Sequence, residues 1–215
     1  MAFDFKKEYR EFYLPKDEPG IVTVPEMHYL AVRGRGDPNA EDGDYQQAMA
    51  QLYGVAYTIK MSRRTDHRIE GFFDYVVPPL EGFWWQEGVQ GIDYGRKDEL
   101  RWISLIRLPD FVTEEDLAWA AAEAARKKKA DFSRVKFLRY SEGLCVQCLH
   151  LGPYDGEPAT VERMHAYLAE QGYAPDITES RYHHEIYLSD ARKTPPEKLR
   201  TVIRHPIRKL GEERA

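Results

Sequence analysis

The run Tyr182-His183-His184-Glu185-Ile186-Tyr187-Leu188-Ser189-Asp190 decides how this chain is read. Aromatic and branched residues cluster in it and apolar side chains return at every second position, which predicts a β-strand. Successive side chains of a strand point to opposite faces. His183, Glu185 and Tyr187 therefore share one face. Tyr182, His184, Ile186 and Leu188 share the other, which suits packing under a helix. A carboxylate in mid-strand, between an imidazole and a phenol, is the informative residue, because charges are seldom buried unless paired. Two readings stand at this point: a solvated sheet face or the wall of a pocket.

Working outward from that strand, the second half of the chain predicts a strand or hairpin over about Val135 to Leu151, broken at Ser141-Glu142-Gly143. The turn Gly152-Pro153-Tyr154-Asp155-Gly156 follows, then a helix from about Pro158 to Gln171 with Gly172 as its C′ residue. A last strand is expected over about Leu199 to Ile203. The first half has the same order. A strand from Ile21 leads to Arg33-Gly34-Arg35-Gly36-Asp37, and a helix over about Tyr45 to Lys60 carries apolar residues at helical spacing. Strands are expected at about Gly71 to Val77 and Leu100 to Leu108. Thr113-Glu114-Glu115-Asp116 opens a helix, with an N-cap and an acidic first turn. The expectation is an α+β fold of tandem β-α-β-β repeats about a pseudo-twofold, with a ligand cleft between the halves. Residues 1–19 form a mobile or peripheral arm. A single domain covers 20–208, made of one half at 20–109, a linking helix at 113–129 and a second half at 133–208. Residues 209–215 are a tail. In this arrangement Phe73 or Tyr75 would face Glu185 across the cleft.

Composition narrows the function classes. A chain of 215 residues with 42% apolar and 31% charged residues can bury a core. No apolar run approaches the roughly 20 residues needed to span a bilayer. The start lacks a signal-peptide pattern, so a cytoplasmic location is expected, with no membrane partner. A net charge of -5 without a basic stripe argues against direct nucleic-acid binding. Cys145 and Cys148 make a C-x-x-C, but on a strand residues three apart face opposite ways, and no second pair completes a zinc site. They read as buried thiols. No cofactor or metal is expected.

Fourteen Tyr and four Trp raise the aromatic content to 13%, and these side chains suit pocket walls as well as cores. Trp84 and Trp85 sit in a Pro- and Gly-flanked connector, either as a stacking wall or as a cap on the core. Tyr75, Trp102, Tyr154 and Tyr187 are further pocket candidates, with core or cleft rim as the alternative. His183 either orients Glu185 or ends the strand in solvent.

The Glu185-Ile186-Tyr187-Leu188 strand, the His150-Leu151-Gly152-Pro153-Tyr154-Asp155 turn and the duplicated order together resemble the GyrI-like small-molecule-binding superfamily, over about residues 20 to 207. The likeness is to standalone members, since neither end has length for a helix-turn-helix. It implies a pocket glutamate, Glu185, and an aromatic or cationic hydrophobic ligand. It also implies cofactor-free hydrolysis of the cyclopropane of duocarmycin-type genotoxins, a detoxification. In that chemistry Glu185 takes the proton from water, Tyr187 or Tyr75 supports the developing oxyanion, and the ligand stacks on Trp84 and Trp85. The alternatives are a non-catalytic multidrug binder and a gyrase-inhibitor-like interaction protein. A monomer or homodimer accommodates all three.

Overall fold

The computed structural model describes residues 2–89 and 91–211. Two short helices, α1 (Phe5–Glu8) and α2 (Arg10–Tyr13), precede the long strand β1 (Gly20–Arg35). Helix α3 (Asp44–Lys60), strands β2 (Leu80–Trp85) and β3 (Arg101–Arg107) and helix α4 (Glu114–Lys128) follow. The remainder is β4 (Lys136–Leu151), α5 (Glu157–Gln171), β5 (Tyr173–Pro175), β6 (His183–Tyr187) and β7 (Arg200–Lys209). The strands pair antiparallel in the order β4-β1-β3-β2-β6-β7, and β7 returns to β4, closing a six-stranded barrel. β5 is added outside it, on β7.

Side chains from all six barrel strands meet in one interior cluster: Val24, Met27, Tyr29, Phe83, Ile103, Leu105, Leu149, Ile186 and Val202. Outside, α3 and α4 cover Leu30, Val32, Trp84, Trp102 and Ile106, and α5 covers Val146, Cys148, Ile203 and Ile207. β1 and β4 are twice as long as most strands because they serve both layers of helices. The parity of their inward residues changes between Val24 and Met27, and between Glu142 and Leu149. Val24 pairs with Gly143 at this corner, and Gly143 takes φ 68°, a conformation L side chains avoid. Helix boundaries follow local chemistry. Thr113 and Asp116 form a capping box at α4, and Gly172 closes α5 in the left-handed region. Both cysteines are buried and unbridged.

Four expectations change. Residues 71–77 are not a strand; Tyr75 makes only an isolated bridge to Phe3, and the strand lies at Leu80–Trp85, after Pro78-Pro79 rather than before it. The face of Tyr182, His184 and Ile186 lies under none of the long helices: it forms the barrel interior, and α3, α4 and α5 lie outside, on the side of the Glu185 face. The arm is not peripheral. Phe5, Phe12 and Tyr13 are buried in the interior cluster, and Gln147 and Arg204 donate to the carbonyls of Glu11 and Phe12. Its spacing of aromatics, Phe5-x3-Tyr9-x2-Phe12-Tyr13, is that of a plug, which the charges between them disguised. The last strand runs to Lys209, so the tail expected over 209–215 begins later; residues 212–215 lie outside the described residues.

Candidate functional site

β6 projects His183, Glu185 and Tyr187 away from the barrel interior, toward α3 and α5. Glu185 is 8% exposed and its oxygens are both held. His183 Nε2 lies 2.9 Å from Oε1, and the Tyr187 hydroxyl donates to Oε2 at 2.7 Å. The Trp84 indole N–H donates in turn to the Tyr187 oxygen at 2.9 Å. Gly82 makes this possible. It is the cross-strand partner of Glu185, and a Cβ there would stand 2.6 Å from Trp84 Nε1. The missing side chain lets the indole fold back over the strand.

Three tyrosines and a second carboxyl complete the site. Tyr45, from the first turn of α3, lies 5.4 Å from the Trp84 ring, centroid to centroid. Tyr154, in the turn before α5, meets Tyr187 edge to face at 5.8 Å. Burial, and then the Glu185 charge, push its phenol up to about 12. Glu157, the first residue of α5, is fully buried. Its Oε2 accepts from the Tyr94 hydroxyl at 3.1 Å, and its Oε1 has no hydrogen-bond partner among the described residues. Burial, reinforced by the neighbouring Glu185 charge, drives the Glu157 carboxyl well above its usual 4.5. Glu157 therefore holds its proton more tightly than an ordinary glutamate.

Donor atoms of Glu157, His183 and Glu185 all lie within 4.8 Å of one another. Such an N/O set is one that a zinc-class cation takes. Without a cation, the Tyr187 hydroxyl donates to one Glu185 oxygen and His183 Nε2 faces the other. Two surface hollows lie elsewhere. One of about 280 Å³ sits among Asp17, His150, Gly156 and Arg163, and one of about 410 Å³ among Arg35, Glu87, Asp98 and Arg101.

Of the residues the sequence singled out, Glu185, Tyr187, Trp84, Tyr154 and His183 come together. Trp102 lies beneath them, fully buried and edge-on to Tyr45 at 5.1 Å. Trp85 does not join: residues 84 and 85 sit in a strand, so they face opposite ways, and Trp85 packs on Tyr182 and under Arg33. Tyr75 and Phe73 do not face Glu185. Tyr75 is packed among Phe5, Phe72 and Phe111, and Phe73 is 42% exposed beside Phe3 and Phe111. Glu157, Tyr45 and Tyr94 were missed. Glu157 reads as an ordinary acidic first-turn residue, Tyr45 as helix core, and Tyr94 as part of a polar connector. His205, whose Nε2 lies 2.7 Å from His183 Nδ1, was also missed; its signal is a lone histidine between Ile203 and Ile207 on an apolar face.

A barrel whose outer face holds a buried carboxyl among tyrosines and a tryptophan, between two helices, is the scaffold of a small-molecule site. Residues 17–208 match the GyrI-like small molecule binding domain, and the chain belongs to that family. Two crystal structures from Listeria innocua are similar over nearly the whole chain. One, of a hydrolase, is 48% identical with a TM-score of 0.88, covering 96% of this chain and 100% of that one. Another, of an uncharacterized conserved protein, is 50% identical with a TM-score of 0.91 and the same coverage. The EcmrR C-terminal domain shares the fold alone, at 13% identity and a TM-score of 0.54, over 90% of this chain and 98% of that one. No curated protein matches the chain. No helix among the described residues is long and apolar enough to cross a membrane.

Proposed function

We propose that the protein is a cofactor-free hydrolase of flat aromatic electrophiles, of the strained cyclopropane type found in duocarmycin-like genotoxins, with Glu185 as general base. The feature that carries this is the carboxyl pair: burial and the Glu185 charge raise the Glu157 carboxyl well above 4.5, while Glu185 is held between His183 Nε2 and the donating Tyr187 hydroxyl. Neighbouring carboxyls pushed apart in this way make a base and an acid at one pH. The hydrolase title of a structure 48% identical to this chain supports the same reading.

The steps use only the chain's own groups. An aromatic ligand enters between Trp84 and Tyr154 when the Tyr94 segment swings away and gives up its hydrogen bond to Glu157. A water beside Glu185 attacks the cyclopropane carbon as its proton passes to Glu185. The new C–O bond forms, the strained C–C bond breaks, and the electron pair moves through the conjugated ring to the carbonyl oxygen. Glu157 protonates that oxygen, giving a phenol. The proton on Glu185 then crosses to Glu157 and restores the pair. Tyr187 is a positioning residue, since its hydroxyl is already committed to Glu185 and Trp84. Detoxification follows from destroying the alkylating group.

The test is incubation with a cyclopropane-bearing duocarmycin-type compound, read by mass spectrometry. The compound should gain one water, and Glu185→Gln should lower turnover by about 10²–10⁴-fold while leaving binding in place. Unchanged turnover in Glu185→Gln sinks the assignment. Cationic ligands bound without turnover, with the preference lost in Glu185→Gln, would identify a binding module instead.

A further inference from the structure

Three side chains that β6 and the start of α5 bring together are each anchored on one atom and open on another. Glu157 accepts the Tyr94 hydroxyl on Oε2 at 3.1 Å. Glu185 accepts the Tyr187 hydroxyl on Oε2 at 2.7 Å. His183 has its Nδ1 2.7 Å from His205 Nε2. The atoms without an outer partner are Glu157 Oε1, Glu185 Oε1 and His183 Nε2, and the last two lie 2.9 Å apart. Donor atoms of the three residues fall within 4.8 Å of one another. Outer hydrogen bonds that fix the unused atom of each ligand are how proteins orient the ligands of a metal ion.

Two further observations point to a ligand here. The first is the open oxygen. Glu157 is fully buried, and a buried carboxyl oxygen normally has a partner, yet Oε1 has none among the described residues. The second is charge. Among the described residues, neither Glu157 nor Glu185 is ion-paired with a lysine or arginine, whereas Glu142 inside the barrel has Arg204 at 2.9 Å. Two buried carboxyls with no guanidinium between them leave a deficit that a divalent cation cancels.

We infer that Glu157, Glu185 and His183 form a binding site for one zinc-class divalent cation. One imidazole nitrogen and two carboxylate oxygens are the donors of an open zinc site, with a fourth position left for water. A cation about 2.1 Å from both His183 Nε2 and Glu185 Oε1 sees them at roughly a right angle. Calcium and magnesium, which take six or more oxygens, fit this set poorly. The site does not depend on the hydrolase reading. It has a consequence for that reading, because a cation held by Glu185 occupies the base, so bound ion and turnover exclude one another.

The deciding experiment is titration of the chelator-stripped full chain with Co²⁺, followed by visible absorption, and with Zn²⁺, followed by calorimetry. Wild type should bind one equivalent of each. Glu157→Gln keeps an acceptor for Tyr94 but removes a carboxylate, and should weaken binding by more than about 100-fold. His205→Phe removes only an outer partner and should weaken it by about 10–100-fold. Glu87→Gln, in the surface hollow beside Arg101, should bind as wild type does. A measurement on wild type alone guards against variants that fold poorly: one equivalent of Co²⁺ should shift the ring resonances of His183. No saturable binding at millimolar cation, undiminished binding in Glu157→Gln, or unshifted His183 resonances would overturn the site. One equivalent of Zn²⁺ should also suppress hydrolysis of the cyclopropane compound, with recovery on chelation, and full turnover by the zinc-loaded protein would overturn the placement on Glu185. Should metal-free wild type leave the compound unchanged, the hydrolase reading falls and the titration still decides the site.

Discussion

His183 and His184 are adjacent in the chain and point to opposite sides of β6; His184 bonds two glutamates, and His183 bonds one glutamate and a histidine. Inside the barrel His184 lies between Glu142 and Glu81, each at 3.0 Å. Arg204 pairs with Glu142 at 2.9 Å, and Tyr13 donates to Glu81 at 3.2 Å. Arg204 also reaches Gln147 and the Phe12 carbonyl. All four carboxylate oxygens of Glu142 and Glu81 are thus hydrogen-bonded, and two buried guanidiniums, Arg204 and the nearby Arg107, face them. Outside, His183 bonds Glu185, and Glu157 lies near both with no guanidinium among them; burial and the Glu185 charge raise the Glu157 carboxyl, and one of its oxygens has no hydrogen-bond partner among the described residues. The same residue types give a charge-paired strut on one face and a carboxyl with a raised pKa on the other. The difference is the cation, because a buried carboxylate is inert when charge-paired and titratable when it is not.

Breaking the strut should have the largest effect on folding. Arg204→Met leaves Glu142 buried without its guanidinium and should cost about 3–5 kcal/mol of stability in urea unfolding. A loss below about 1 kcal/mol would mean the cluster is not the strut described. The wild-type cluster also has a pH window. Burial pushes the Glu142 carboxyl up, but His184 and Arg204 outweigh it and bring it down to about 2. Its contribution is present above the usual 4.5 and is lost as pH falls toward about 2. His184 is depressed by burial but raised overall by Glu142 and Glu81, so its contribution is whole below 6.5 and is lost as pH climbs past its elevated folded value. Stability from this cluster should be greatest between about 4.5 and 6.5.

Changing the outer carboxyl should do the opposite. Glu157 has its carboxyl raised, so the folded state carries no penalty below 4.5 and a growing one as pH rises above it. Glu157→Gln removes that penalty. It should match wild type in urea unfolding at pH 4, exceed it at pH 8, and lose turnover. A variant less stable than wild type at both pH values would place Glu157 among the struts. The smallest effect belongs to the arm. Tyr13→Phe deletes one hydrogen bond to Glu81 and should cost about 1 kcal/mol. Amide exchange across residues 5–13 should rise, with turnover unchanged; protection as in wild type would show that the arm is held by its aromatic packing alone.

How much of this was legible beforehand follows from what each signal reports. Period-two alternation identified β6 and the helices' apolar stripes identified α3, α4 and α5, because those patterns are local and set by one burial direction each. The same alternation put Glu185 and Tyr187 on one face and joined them to His183. It failed at Trp84 and Trp85, where Gly82 and two prolines suggested a connector, and so hid the parity that separates the two rings. It also failed for the arm, whose burial depends on an open barrel end that no local pattern encodes.

The sequence by itself determined the family, the strand that bears Glu185 and the face of that strand that Glu185 shares with His183 and Tyr187. Only the tertiary structure decided the partners. Glu157 arrives from a helix start 28 positions earlier and His205 from a strand 20 positions later, and both are aligned by the β6–β7 pairing and the seat of α5. Side chains brought together by barrel closure leave no periodic trace in the chain, whereas side chains that share a strand do.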